Sequence, residues 1–219
     1  MRRIRGFWVV TGLVLLLVTL MSASVAADAR ATTIVVLPRP GQLGVGVSGL
    51  YGTLTKGGEV GSQFGSGPGL AVRLRYRMRY ERGFGVTWEN HGCDVRPGDF
   101  RDLVVPDSIY AAGSASATMR VNLSLYGVDF YQMSGTRTKT TRMLSVGAGI
   151  AHPVVKLYGG EAQYPWNDGA YLSAGAGVER FFWQGLAWDL GARYQAVFIN
   201  GKTNHDVQVS AGVIFYASL

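Results

Sequence analysis

The sequence predicts an all-β chain: an eight-stranded antiparallel up-and-down transmembrane β-barrel. Three observations predict it. Leu70-Ala71-Val72-Arg73-Leu74-Arg75-Tyr76-Arg77-Met78-Arg79-Tyr80 places apolar residues at every even position and arginine at every odd one from Arg73 on. A strand sends successive side chains to opposite faces, so one face is apolar and the other carries four guanidinium groups. Lipid outside and a polar lumen inside satisfy both faces without a soluble core partner. Seven further segments alternate in the same way, and the connections between the eight alternate between long and short.

The N-terminus and the composition agree with this. Arg2, Arg3 and Arg5 precede an apolar run from Phe7 to Met21, and Ser24-Val25-Ala26 offers small residues for cleavage. The run is about 15 residues, short of the roughly 20 a spanning helix needs. Residues 1–26 therefore read as a secretory signal peptide, 27–41 as a periplasmic N-terminal segment and 42–219 as the barrel domain. Cys93 is the single cysteine of the chain, which leaves no intramolecular disulfide and no cysteine-based metal site. The formal net charge of +7 invites a nucleic-acid reading. Its distribution argues against one, because three arginines lie in the signal peptide and six are expected on inner strand faces. The 90–117 loop sets Asp94, Asp99, Asp102 and Asp107 against Arg96 and Arg101.

The segments follow in order, each bounded by Gly, Pro, Asn or Asp clusters. Segment 42–53 sends Leu43, Val45, Val47 and Tyr51 outward. Segment 70–80 is the arginine stripe. Segment 84–91 sends out Phe84, Val86 and Trp88. Segment 118–132 sends out Met119, Val121, Leu123 and Leu125, and its alternation slips near Gly127, where a bulge would turn Asp129 inward. The last four are 142–151 (Leu144, Val146, Ala148 and Ile150 outward), 171–181 (Leu172, Ala174, Ala176, Val178), 186–198 (Leu186, Trp188, Leu190, Tyr194, Phe198) and 207–216 (Val207, Val209, Val213, Phe215).

The connections 54–69, 92–117, 152–170 and 199–206 are longer than 81–83, 133–141 and 182–185, as expected of extracellular loops and periplasmic turns. Glu81-Arg82-Gly83 and Trp183-Gln184-Gly185 end in Gly, which suits a three-residue hairpin loop with a left-handed last residue. In that register Arg75 faces Glu89, Arg73 faces His91, and Glu179 faces Asp189.

Inward positions on the other strands are small: Gly44, Gly46, Ser48, Ser145, Gly147, Gly149, Ser173, Gly175, Gly177, Gly191, Ser210 and Gly212. They leave room for long arginines in an interior that eight strands would otherwise just fill. Unpaired buried charge is costly. The expected luminal ionic cluster is therefore Arg73, Arg75, Arg77, Arg79, Arg120 and Arg193 with Glu89, Glu179 and Asp189. The cluster reads as a structural plug or as a narrow anion-selective path.

The chain resembles the small outer-membrane β-barrels: the transmembrane domain of outer-membrane protein A, outer-membrane protein X and the opacity-type adhesins. The resemblance rests on the signal peptide, strand count, alternation and loop asymmetry over about 42–216. The end, with Ser210, Gly212 and Phe215, is similar to their assembly signal but finishes Ala217-Ser218-Leu219 without a terminal aromatic. It implies a Gram-negative outer membrane, contact with its lipids and lipopolysaccharide, handling by the barrel-assembly machinery, and an extracellular partner reached through the loops. No cofactor or metal and no nucleic acid is expected. His91, His152 and His205 fall at the extracellular end. They lack the His-x-Ser-Asn pattern of lipid A deacylases and any metal-ligand spacing. A palmitoyl-transferring enzyme would draw on loop groups such as Asp94, Ser108, His205 and Asp206. The expectation is a non-enzymatic structural or surface-interaction protein, with a lipid A-modifying enzyme or a narrow channel as alternatives.

Overall fold

A computed structural model describes residues 40–55, 57–58, 60–95, 119–157, 163–165 and 167–218. The expected signal peptide, nearly all of the expected 27–41 segment and Ser108 lie outside them. The strands are β1 (Gln42–Leu54), β2 (Ser66–Arg77), β3 (Arg82–Asp94), β4 (Met119–Ser134), β5 (Thr140–Leu157), β6 (Gln163–Pro165), β7 (Gly169–Trp183), β8 (Leu186–Ile199) and β9 (Lys202–Ser218), with a single helical turn α1 (Val60–Gln63). All pairings are antiparallel. The sheet runs β4-β3-β2-β1-β9-β8-β7-β5 and closes through β4–β5, while the short β6 adds to the outer end of β5. Eight strands thus form a closed up-and-down barrel, and closure removes the open edges a membrane would not tolerate.

The outward face carries the lipid belt. Val45, Val47, Leu74, Val86, Val128, Leu144, Val146, Ile150, Leu172, Leu190 and Val213 are exposed. Aromatic residues flank this belt. Tyr51, Tyr126 and Tyr194 lie toward one end; Phe84, Phe130, Phe182, Trp183 and Phe215 lie toward the other. Two girdles around an apolar band are the signature of a membrane-spanning barrel.

Three expectations are corrected. The β2–β3 hairpin turns earlier than its glycine suggests. Met78 N donates to Arg82 O at 2.8 Å, and Tyr80 and Glu81 adopt φ of 59° and 55°. Arg75 therefore faces Gly85 and Arg73 faces Thr87, rather than Glu89 and His91. Gly83 is an inward strand residue packed against Met133 and the Tyr76 carbonyl, not a turn residue. The register moves by an even number of residues, so every side chain keeps its face.

The 199–206 loop is instead a two-residue turn, Asn200-Gly201, with Ile199 paired to Lys202 and φ of 51° and 72°. Positive φ at both central residues is the type I′ hairpin requirement that Asn-Gly satisfies. In the β7–β8 hairpin Glu179 does face Asp189, with a shift near Trp183 and a left-handed Gly185.

In β4 there is no bulge. Pairing to β3 and β5 is continuous through Gly127. Val121, Leu123 and Leu125 point inward and are buried, as is Asp129, while Tyr126, Val128 and Phe130 are exposed. The strand keeps its period; the hydrophobic phase inverts. Strands of 12 to 18 residues, such as β2 and β5, exceed the roughly 9–11 that cross a bilayer. Beyond the lipid belt the wall stands in water, so polar residues turn out and apolar residues turn in.

Candidate functional site: the luminal ionic column and its cap

The lumen is built from the arginine stripe of β2 and carboxylates of other strands. Going round the closed barrel, β7 stands diametrically opposite β2, and β8 opposite β3. Arg75 and Arg77 reach across to Glu179 of β7. Tyr216 of β9 donates its hydroxyl to the same carboxylate at 2.6 Å. Aromatic faces hold the guanidinium planes: Arg75 lies 4.4 Å from the Tyr131 ring, and Arg77 lies 4.5 Å from Tyr216 and 5.3 Å from Phe181. Such stacking suits arginine, whose planar cation is weakly hydrated.

One step outward, Arg73 meets Glu89 at 3.0 Å and Asp189 at 3.6 Å, with Ser210 Oγ at 3.4 Å. Asp189 is also 3.7 Å from Arg75. Arg193 bridges Asp129 at 2.8 Å and Glu89 at 3.5 Å. Thr87 and Tyr131 donate to Asp129 as well. Above these, Gln195 donates to Glu89 at 2.8 Å, and Gln208 donates to Asp206 at 2.8 Å. His91 Nε2 stands 3.2 Å from Asp206.

Four guanidinium groups, Arg73, Arg75, Arg77 and Arg193, are buried with four carboxylates, Glu89, Asp129, Glu179 and Asp189, and a fifth buried carboxylate, Asp206, lies beside His91. Each arginine of the stripe is about 7 Å from the next, two strand residues on, so carboxylates interleaved from other strands separate like charges. Beside this column lies a cavity of about 30 Å³, lined in part by Arg73, Arg193, Asp189, Ser145 and Ser210.

Two members of the expected cluster are elsewhere. Arg79 is exposed in the β2–β3 turn, because the strand ends at Arg77. Arg120 pairs with Asp94 at 2.8 Å on the outer wall, its side chain 25 % exposed. Asp129 joins the cluster without the expected bulge. The small residues also serve different neighbours than expected. A Cβ on Gly147 would meet Asp129, on Gly127 or Gly149 the Tyr171 ring, and on Gly44 the Tyr216 ring.

A cap closes the column at its outer end. Leu54, Val60, Phe64, Cys93, Val121, Leu123, Leu125, Ala151, Val155, Val197 and Ile199 form one buried apolar cluster with Tyr171. The α1 turn lies on top of it. Asn204 Oδ1 accepts from Val60 N at 2.8 Å and Gly61 N at 3.1 Å, and Asn204 Nδ2 donates to the Val197 carbonyl at 3.4 Å. The sequence signal for this cap was the phase inversion of β4, together with polar Asn122 and Ser124 outside. Asn90 Nδ2 donates to Ser124 Oγ there at 2.6 Å.

The three histidines do not converge. His91 is buried in the lumen, His152 points outward to Asp168, and His205 bonds the Tyr194 hydroxyl at 2.5 Å on the outer wall. Among the described residues no group of three His, Cys, Asp or Glu side chains could hold a metal ion.

A closed barrel with an apolar belt and paired aromatic girdles is an integral membrane protein of the outer-membrane type, and its place is the outer membrane of a Gram-negative cell. No family model matches the sequence, and no curated protein matches it. Solved structures do. Neisserial surface protein A is similar over 80 % of this chain and 95 % of its own, with 15 % identity and a TM-score of 0.52. The outer membrane protein OprG from Pseudomonas aeruginosa is similar over 83 % and 98 %, with 13 % identity and a TM-score of 0.50. These likenesses are of fold: both are small β-barrels, as this chain is.

Proposed function

We propose that the protein is a non-enzymatic component of the outer membrane, with a stabilised, non-conducting barrel that presents its extracellular loops to a partner. The observation that carries this reading is the luminal column. Its four guanidinium groups are paired with four carboxylates, the Glu179 pairs reaching across the barrel, and an apolar cap sits above them. An ion entering such a lumen would have to break buried guanidinium–carboxylate pairs, each of which leaves an uncompensated charge costing about 3–5 kcal/mol. An open filter instead binds weakly enough to release its ion. Function is then left to the loops, where scaffold barrels carry recognition. Outer-membrane lipids and lipopolysaccharide surround the belt, and the barrel-assembly machinery inserts the chain.

Conductance of the purified protein in planar bilayers, paired with mass analysis of lipid A from cells making it, tests this reading. The expected result is no steady channel and unchanged lipid A. Anion-selective steps that vanish in folded Arg75→Ala would establish the narrow channel instead. A gained or lost acyl chain on lipid A would establish the enzyme.

A further inference from the structure

The short turns Met78 to Glu81, Gly135 to Lys139 and Gln184-Gly185 share one end of the barrel with both terminal strand ends, since Gln42 pairs with Ser218. That end is the periplasmic one in barrels of this type. The third of these turns departs from regular pairing. Phe181 pairs with Ala187 and Trp183 with Leu186, so Phe182 is an extra residue on β7. Strict alternation would send Trp183 inward after Phe181, which is buried beside Tyr216. The extra residue re-aims it. Phe182 and Trp183 are both exposed, at 45 % and 68 %. Phe182 stacks on Trp188, with ring centroids 5.2 Å apart.

Trp183 instead borders a notch of about 200 Å³ in the outer wall, lined by Trp183, Gln184, Leu186 and Phe215. Leu186 is at its centre, paired with Trp183 on β7 and with Phe215 on β9. The two aromatic residues thus stand on strands either side of it, their backbones roughly 10 Å apart. Tyr216 N donates to Gly185 O at 2.7 Å, which ties the turn to β9. Gly185 has φ of 69°, and a Cβ there would meet the Tyr216 carbonyl at 2.6 Å, so this close approach needs glycine. Backbone geometry therefore holds both walls of the notch. Its lining is uncharged: three side chains are aromatic or aliphatic, and Gln184, exposed in the turn, brings a carboxamide. The notch lies within the periplasmic aromatic girdle, and such girdles mark the headgroup level of a bilayer.

We infer that this notch holds one phospholipid of the periplasmic leaflet, with the root of an acyl chain over Leu186 between Trp183 and Phe215, and an ester oxygen accepting from the Gln184 carboxamide. The notch is continuous with the lipid belt, so lipid is what covers it. Its volume suits the root of one chain with its ester rather than a whole lipid. Apolar area alone gives no preference in a membrane, because lipid tails are as apolar as leucine. Contact with rings on two sides does, through dispersion, and so does a hydrogen bond from the carboxamide. With no charged group in the lining, the site reads chain and ester rather than headgroup charge. It lies outside the barrel, so it stands whether or not the lumen conducts.

The test is native mass spectrometry of the folded protein, released from micelles holding equal amounts of phosphatidylglycerol, phosphatidylethanolamine and lipid A. The parent should retain a single phospholipid, with the two headgroups held alike. Losing one aromatic wall should cost about threefold or more in retained lipid, so Trp183→Ala should show that fall. Trp188→Ala, which removes a girdle ring outside the notch, should retain lipid as the parent does. Heat-modifiable gel migration checks folding, and Gln184→Ala, in an exposed turn, should show a smaller loss if Trp183→Ala does not fold. No retained phospholipid in the parent, or equal losses in Trp183→Ala and Trp188→Ala, would overturn the inference. A strong preference for phosphatidylglycerol over phosphatidylethanolamine would overturn recognition through chain and ester. Retention of lipid A instead would overturn the assignment to the phospholipid leaflet, and a lipid-free dimer would put a second copy of the chain on this face.

Discussion

Glu179 receives two guanidinium groups and one phenol at a single buried carboxylate. Removing it leaves Arg77 buried beside aromatic rings and leaves Arg75 with Asp189, at 3.7 Å, as its remaining carboxylate among the described residues. Breaking a buried pair from one side costs about 3–5 kcal/mol, far more than the net worth of the pair. Glu179→Ala should therefore lower the urea midpoint of unfolding markedly, and Arg79→Ala should change it by no more than about 0.5 kcal/mol equivalent, as surface substitutions do. A parent-like midpoint for Glu179→Ala would remove the trans-lumen pairs from any role in stability. Arg77 and Arg79 are indistinguishable in sequence, since both continue one alternating stripe. What separates them is where the hairpin turns, and the residues in left-handed conformation there are Tyr80 and Glu81 rather than the nearby glycine. Gly83 misleads because it is required for a different reason, the close approach of Met133.

At the scale of elements, period-two alternation was legible everywhere, because a strand has only two faces and one of them meets lipid. The outward residues of β1, β3, β5, β7, β8 and β9 are those that alternation assigns. What alternation alone does not reveal is which medium each stretch faces. The outer half of β4 inverts its pattern because it stands above the bilayer, and a bulge is the natural but wrong reading if lipid is assumed throughout. Strand ends suffer likewise: Lys202 to Asp206 resemble loop residues, yet continue β9 above the belt. The cap that fills this upper section depends on Asn204, which supplies the acceptor for two amide donors at the start of α1. Asn204→Ala leaves both donors without that acceptor inside a buried cluster, a loss of about 1–3 kcal/mol. Hydrogen exchange at 60–65 should accelerate roughly tenfold or more while amides of the lower barrel keep their protection. Unchanged exchange at 60–65 would mean that Phe64 and Val60 hold the cap by apolar contact alone.

For the whole molecule the orientation follows from closure. Eight long strands bring both chain ends to one side, where Gln42 pairs with Ser218. Three tight turns lie on that side, whereas the Asn200-Gly201 turn shows that length alone does not assign the opposite one. The cap, the inverted phase of β4 and the polar outer wall lie together at the end away from the termini, and they make sense only in water. In barrels of this type the end away from the termini is the extracellular one. Cys93 sits there, but it is fully buried in the apolar cluster. A membrane-impermeant thiol reagent should leave it unlabelled on intact cells and label it after denaturation. In a Cys93→Ala background, Lys202→Cys on the exposed outer turn should label on intact cells, and Thr138→Cys in an exposed turn at the other end only after permeabilisation. The reverse pattern, Thr138→Cys labelled and Lys202→Cys silent on intact cells, would invert the barrel.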